Sequence, residues 1–97
     1  MKVAQNINEF FDIIEMDRRL SVWHIALLTA LYIMAIRQKR HTQVKVSRRN
    51  LMTLSHVSSL PTYHKYFKEL QELGYICYRP SYHPGVQSQV DLKQPNI

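Results

Sequence analysis

The run Ser58-Ser59-Leu60-Pro61-Thr62-Tyr63-His64-Lys65-Tyr66-Phe67-Lys68-Glu69-Leu70 constrains this chain more than any other stretch. Leu60, Tyr63, Phe67 and Leu70 recur at three- and four-residue intervals, which makes one apolar stripe on a helix. Ser59 reads as the N-cap, Pro61 suits the first turn, and Gly74 after Leu73 reads as the C′ residue. At about 100° per residue, the face opposite the stripe carries Pro61, Thr62, Lys65, Lys68 and Glu72. The helix therefore has an apolar back and a short polar, basic front. Upstream, Ser47-Arg48-Arg49-Asn50-Leu51-Met52-Thr53-Leu54 reads as a shorter helix, joined to the next by the tight link His56-Val57-Ser58. Downstream, Tyr75 to Arg79 and Val86 to Leu92 read as two strands around a Pro/Gly loop. The order is helix, turn, helix, hairpin.

Thr62 to Ile76, with its Leu70-Gln71-Glu72-Leu73-Gly74-Tyr75-Ile76 ending, resembles the recognition helix and first wing strand of winged helix-turn-helix regulators, including the MarR-like group. In those proteins a Thr opens the helix, basic residues follow, and a Leu-x-x-x-Gly-(Leu/Tyr)-Ile run closes it. The resemblance covers roughly half the chain, and the family is broad enough that its motif specifies fold better than biology. A Gly often occupies the turn between the two helices; His56 takes that place here, and His tolerates the left-handed conformation better than most residues. The fold class expected is α+β, mainly α: a three-helix core and a small antiparallel β-wing, with an extra N-terminal helix. Residues 18–92 would form that domain, 1–17 the added helix and 93–97 a disordered tail.

The rest of the chain reads as support. Ile7 to Met16 is an amphipathic helix with Asn6 or Asn8 as cap, and Phe10-Phe11 on it either cover the domain's own core or dock on a second copy, as N-terminal helices do in MarR-like dimers. Ser21 caps a long helix from Val22 to Arg40 that is apolar nearly all round, with Leu20 and Ile25 spaced as a hydrophobic staple. Its basic end, Arg37, Lys39 and Arg40, complements the helix dipole. Thr42 to Val46 alternates like a short strand, with Val44 and Val46 facing inward. Trp23, Leu28, Phe67, Leu70 and Ile76 are expected in one core.

Charge points to the partner class. The chain holds 13 Lys and Arg against 7 Asp and Glu, a net of +6. Residues 1–17 set Lys2 against Glu9, Asp12, Glu15 and Asp17, a net of −3, so residues 18–97 carry +9. A basic domain with this helix order suits a polyanion. Arg48 and Arg49 in the first turn of their helix oppose its dipole, at roughly 0.3–1 kcal/mol per charge, and a phosphate at that N-terminus would reverse the sign.

Several chemistries find no support. Cys77 has no second thiol to pair with and suits a small buried hydrophobe. The five histidines His24, His41, His56, His64 and His83 show no metal-ligand spacing. Glu69 and Glu72 beside Lys65 and Lys68 read as intrahelical ion pairs rather than an acid/base pair. No cofactor and no enzymatic activity are expected, nor a secretory signal, nor a membrane span, because Val22 to Ile36 is short and broken by His24 and Thr29. A cytoplasmic protein is the expectation.

The function expected is sequence-specific binding of double-stranded DNA, as a small transcriptional regulator or mobile-element accessory factor, with a homodimer as the assembly. The resemblance implies helix 60–73 in the major groove and wing 79–85 on the backbone or minor groove. The expected contact residues are Ser47, Arg48, Arg49, Ser58, Ser59, Thr62, Lys65, Lys68, Arg79, Tyr82 and His83. The alternatives are a protein-interaction module, which would expose aromatics or acids on that helix, and a replication-initiation domain.

Overall fold

The computed structural model describes the backbone of residues 3–93 and the side chains of residues 8–93. The chain opens with α1 (Val3–Met16), a turn longer at its start than the sequence pattern suggests, so Asn6 and Asn8 lie inside it rather than capping it. Serine starts each of the next three helices. Ser21 precedes α2 (Val22–Gln38), Ser47 precedes α3 (Arg48–Ser55) and Ser59 precedes α4 (Leu60–Glu72). Each Oγ accepts the backbone N–H three residues on, from His24, Asn50 and Thr62, and so satisfies a donor that the helix cannot.

The helix ends are equally local. Gly74, at φ 88°, closes α4: its N–H reaches Gln71 O and the next N–H, of Tyr75, reaches Leu70 O. That is the paired bonding of a Schellman ending. Lys39 does the same for α2 at φ 56°, so that the helix ends at Gln38, two residues before the expected end at Arg40, and His56 ends α3 at φ 61° in the place where a Gly is common.

Three strands, β1 (Val44–Val46), β2 (Ile76–Arg79) and β3 (Ser88–Leu92), form an antiparallel sheet in the order β1-β3-β2. Val90 sits at its centre, opposite Val44 on one side and Tyr78 on the other. Each strand is shorter than its pattern because neighbouring groups are already engaged. Gln43 turns left-handed and gives its N–H to Asp91, Tyr75 N–H finishes α4, and Val86 N–H closes the loop turn onto His83 O. The outer edge of β1 is not left bare: the Gln38 amide bonds both the N–H and the C=O of Lys45, each at 2.8 Å. A side chain thus takes the place of a missing strand.

The core lies where α2 meets everything else. Leu27, Leu28 and Leu31 of α2 are buried with Leu51 of α3, Val57 of the turn, Phe67 and Leu70 of α4, and Val44, Ile76 and Val90 of the sheet. From α1, Phe10 is buried and its ring stacks on Tyr32 at 4.4 Å, while its neighbour Phe11 is 59 % exposed. The pair therefore divides between the chain's own core and the surface. Cys77 is half-buried in β2.

One expected core position and the head of one expected apolar stripe differ. Trp23 is 42 % exposed and stacks on Tyr66 at the flank of α4, because it precedes the buried layer that begins at His24 and Leu27. Leu60 heads the α4 stripe but is also exposed, since the stripe runs past the end of the core at the first turn. Of the expected tail, only Lys93 falls among the described residues.

Candidate nucleic-acid interface

The outer face of α4 is built by its inner one. Tyr63, Phe67 and Leu70 are buried against α2 and the sheet, which turns Pro61, Lys65, Lys68 and Glu72 to solvent. His64 and Gln71 join that exposed face on the side of β2, although the sequence pattern assigns them to neither stripe. Thr62, assigned to the front, is half-buried on the flank toward α2, and its N–H is held by Ser59 Oγ at 3.4 Å. Ser58 and Ser59 are exposed at the start of the helix. Lys65 leans back so that Nζ lies 5.1 Å over the Tyr66 ring, a cation–π contact that orders the side chain while leaving the ammonium in water.

The carboxylates of α4 are not used as expected. Among the described residues Lys65 and Lys68 have no ion-pair partner within 4 Å, and Glu69 pairs instead with His24 across the helices at 2.8 Å. His24 is buried, and its Nδ1 accepts the backbone N–H of Ser21 at 2.8 Å. That bond fixes the tautomer: the proton sits on Nε2, which donates to Glu69 Oε1. One histidine thus completes the capping box of α2 and pins the rotation of α4, so the basic front stays free of its nearest carboxylate. The sequence signal was the Ser21-x-x-His24 spacing, which is that of a capping box with an unusual third member.

The N-terminus of α3 comes to the same side. Arg48 and Arg49 are exposed there beside the half-buried cap Ser47. Arg48, Tyr63, His64, Phe67 and Tyr78 line an open depression of about 210 Å³ between α3, α4 and β2. Burial pushes the Tyr63 phenol up to about 12; Tyr78 adds to the rise and the Arg48 charge opposes it. The site therefore offers a guanidinium, a histidine and a neutral phenol, all donors for an anion.

The hairpin contributes less uniformly. Its loop ends in His83-Pro84-Gly85-Val86, with Val86 N–H bonded to His83 O and Gly85 at φ 82°. Pro at the second and Gly at the third position is the signature of a type II turn. Tyr82 is 88 % exposed and His83 is exposed beside it, so Tyr82 does not pack on the base of its hairpin. Arg79 is placed differently. Tyr78 meets Phe67 at 5.1 Å on the inner side of the sheet, so Arg79 points to the outer side by alternation. There its guanidinium bonds Asp91 at 2.8 Å, away from Arg48 and α4.

A second clamp holds the N-terminal part in place. Asp17 is buried, takes two side-chain bonds from Arg19 at 2.8 Å each, and accepts the Tyr75 hydroxyl. The Arg19 bonds dominate and, with Tyr75, hold the Asp17 carboxyl far below the usual carboxylate range despite its burial. Burial, and then the same contact, push the Tyr75 phenol up. What reads in sequence as a polar link is a lock between the end of α1 and the start of the hairpin.

Comparison with known proteins finds no family model, no curated protein and no solved structure that this chain matches. Among the described residues no three His, Cys, Asp or Glu side chains come together as a metal site requires, and no helix is long and apolar enough to cross a membrane.

Proposed function

We propose that this chain is a winged helix-turn-helix module that binds double-stranded DNA, in the role of a cytoplasmic transcriptional regulator or mobile-element accessory factor rather than of an enzyme. The observation that carries the reading is the front of α4: an exposed strip with Lys65, Lys68, His64 and Gln71 and one acid, Glu72, its lysines without an ion-pair partner among the described residues, flanked by Arg48 and Arg49 at a helix N-terminus. In this reading α4 enters the major groove. Lys65 and His64 approach base edges, Lys68 and the α3 N-terminus hold phosphates, and Tyr82 and His83 of the hairpin tip lie on the backbone or in the minor groove. Selection of bound sequences from a random duplex pool tests it. Enrichment of one site supports it, and no retention of any duplex at low salt sinks it.

A second reading has one observation in its favour. Trp23 is exposed where α2 and α4 adjoin, stacked on Tyr66, and exposed aromatics of this kind mark protein-binding surfaces. A protein-interaction module would use that flank rather than the basic front. Substituting Trp23→Ala separates the two, because duplex binding through the front would survive it.

A further inference from the structure

α2 is enclosed on three sides and open on the fourth. Leu27, Ala30, Leu31 and Ala35 are fully out of water, and α1, α3, α4 and β1 all pack on this helix. The open side carries exposed Val22, Thr29 and Ile36 with half-buried Ala26 and Ile33 between them, spaced four, three, four and three residues apart. Val22 is 72 % exposed and Ile36 41 %, and no charged residue occurs between them in the chain. A strip repeating every ~3.5 residues is the seam along which two helices supercoil. Ala26 and Thr29 are small enough to let the two backbones approach closely.

We propose that a second copy of this chain docks on that seam, α2 against α2 and antiparallel across a two-fold axis near Thr29. The seam is its own complement: the Val22 end meets the Ile36 end of the partner subunit, and the small middle residues face each other across the axis. Charge selects the direction. The Phe10–Tyr32 stack and the short reversal after Met16 lay α1 back along α2, so exposed Asp12 and Glu15 lie toward the Val22 end, where they outnumber exposed Arg18, the charge of Arg19 being answered by Asp17. Antiparallel pairing brings them to the end where Arg37, Lys39 and Arg40 of the partner subunit emerge. Parallel pairing would set like charge beside like and align the two helix dipoles unfavourably. The acidic outer face of α1 beside the seam also argues against an anionic lipid surface as the occupant.

The proposal stands apart from duplex binding, and its test needs no nucleic acid. Sedimentation equilibrium of the full chain over a micromolar to submillimolar series should show a monomer–dimer equilibrium. Thr29→Glu, on an exposed helix position, should raise the dimer dissociation constant by about tenfold or more through like-charge repulsion at the axis, with the circular-dichroism spectrum unchanged and the melting temperature unchanged at concentrations where both chains are monomeric. On a Cys77→Ser background, Thr29→Cys should oxidise to a covalent dimer and Val22→Cys should not. A chain that stays monomeric across the series overturns the proposal, whether or not it pellets with anionic vesicles. So does a dimer indifferent to Thr29→Glu. Ready disulfide formation by Val22→Cys overturns the antiparallel arrangement.

Discussion

The front of α4 and the open side of α2 are both solvent-facing strips along helices whose other sides share one core, and their chemistry is opposite. The α4 strip is polar and mainly basic, with Lys65 and Lys68 free of carboxylate partners among the described residues and Glu72 its one acid. The α2 strip is uncharged from Val22 to Ile36 and, Thr29 apart, aliphatic. The surrounding segments follow suit, acidic before residue 18 and basic after it. Exposure alone therefore says little about a helix face, because apolar atoms supply much of any protein surface. What separates the two strips is continuity of chemistry over several turns. One is suited to a polyanion and the other to a surface like itself.

Damage to the shared core should abolish the distinction, and this is the largest effect expected. Leu70 is fully buried between α2, α4 and the sheet, so Leu70→Ala should cost ~2–5 kcal/mol. Against a net stability of ~5–15 kcal/mol, thermal melting should fall sharply, and both strips should lose their function together. An unchanged melting temperature would mean that the phase of α4 is wrong.

The Asp17 lock should move stability without touching either strip. Asp17→Asn removes an acceptor from buried Tyr75 and from Arg19, at a cost of ~1–3 kcal/mol. The pH dependence follows from the sign of the shift. The folded carboxyl has the lower pKa, so its contribution is complete above the ordinary carboxylate value and is lost as pH falls below ~4 toward the folded value. Urea melts across that window should show the wild type losing stability and the Asn variant varying less. Equal slopes would remove Asp17 as the cause.

The α4 strip should distinguish reading from gripping. Lys65→Ala should weaken binding to the selected duplex by ~1–3 kcal/mol if a base contact is lost, and weaken binding to a scrambled duplex much less. Thr62→Ala, on the half-buried flank, should change discrimination less than Lys65→Ala. Titrations on both duplexes decide this, and intact discrimination in the Lys65 variant would remove α4 as the reader.

How much of this was legible in sequence depends on the range of the chemistry involved. The three serine caps, Gly74, the left-handed His56 and the Pro84-Gly85 turn all act within a few residues, and each reads directly from its neighbours. The helical stripe placed Tyr63, Phe67 and Leu70 inward for the same reason. The ends of the strands did not read, because Gln43 and Tyr75 give their N–H groups to partners that local pattern does not reveal. His24–Glu69, Asp17–Tyr75 and Arg79–Asp91 join residues far apart in the chain, so no spacing announces them. Helical spacing alone pairs Glu69 with Lys65, and only the docking of α2 on α4 brings His24 to it instead. At the candidate site, the meeting of Arg48 with His64 depends on how α3 and α4 dock.

The smallest effect expected is also the one that best locates the edge of the basic surface. Arg48 and Arg79 look equivalent in sequence, each beside an element that a phosphate would favour. In the fold Arg48 stands at an open helix N-terminus beside His64, whereas Arg79 is on the outer side of the sheet with its charge partly answered by Asp91. Arg48→Ala should therefore reduce the salt slope of duplex binding by about one unit, the signature of one lost phosphate contact. Arg79→Ala should leave that slope near the wild-type value. Its own cost should fall on stability, and by no more than ~1 kcal/mol, because a half-exposed ion pair is well screened by water. Binding isotherms at several salt concentrations, with a melt of each variant, separate the two arginines. If Arg79→Ala flattens the salt dependence as much as Arg48→Ala does, the nucleic-acid surface wraps around the sheet edge and the boundary drawn here is too narrow.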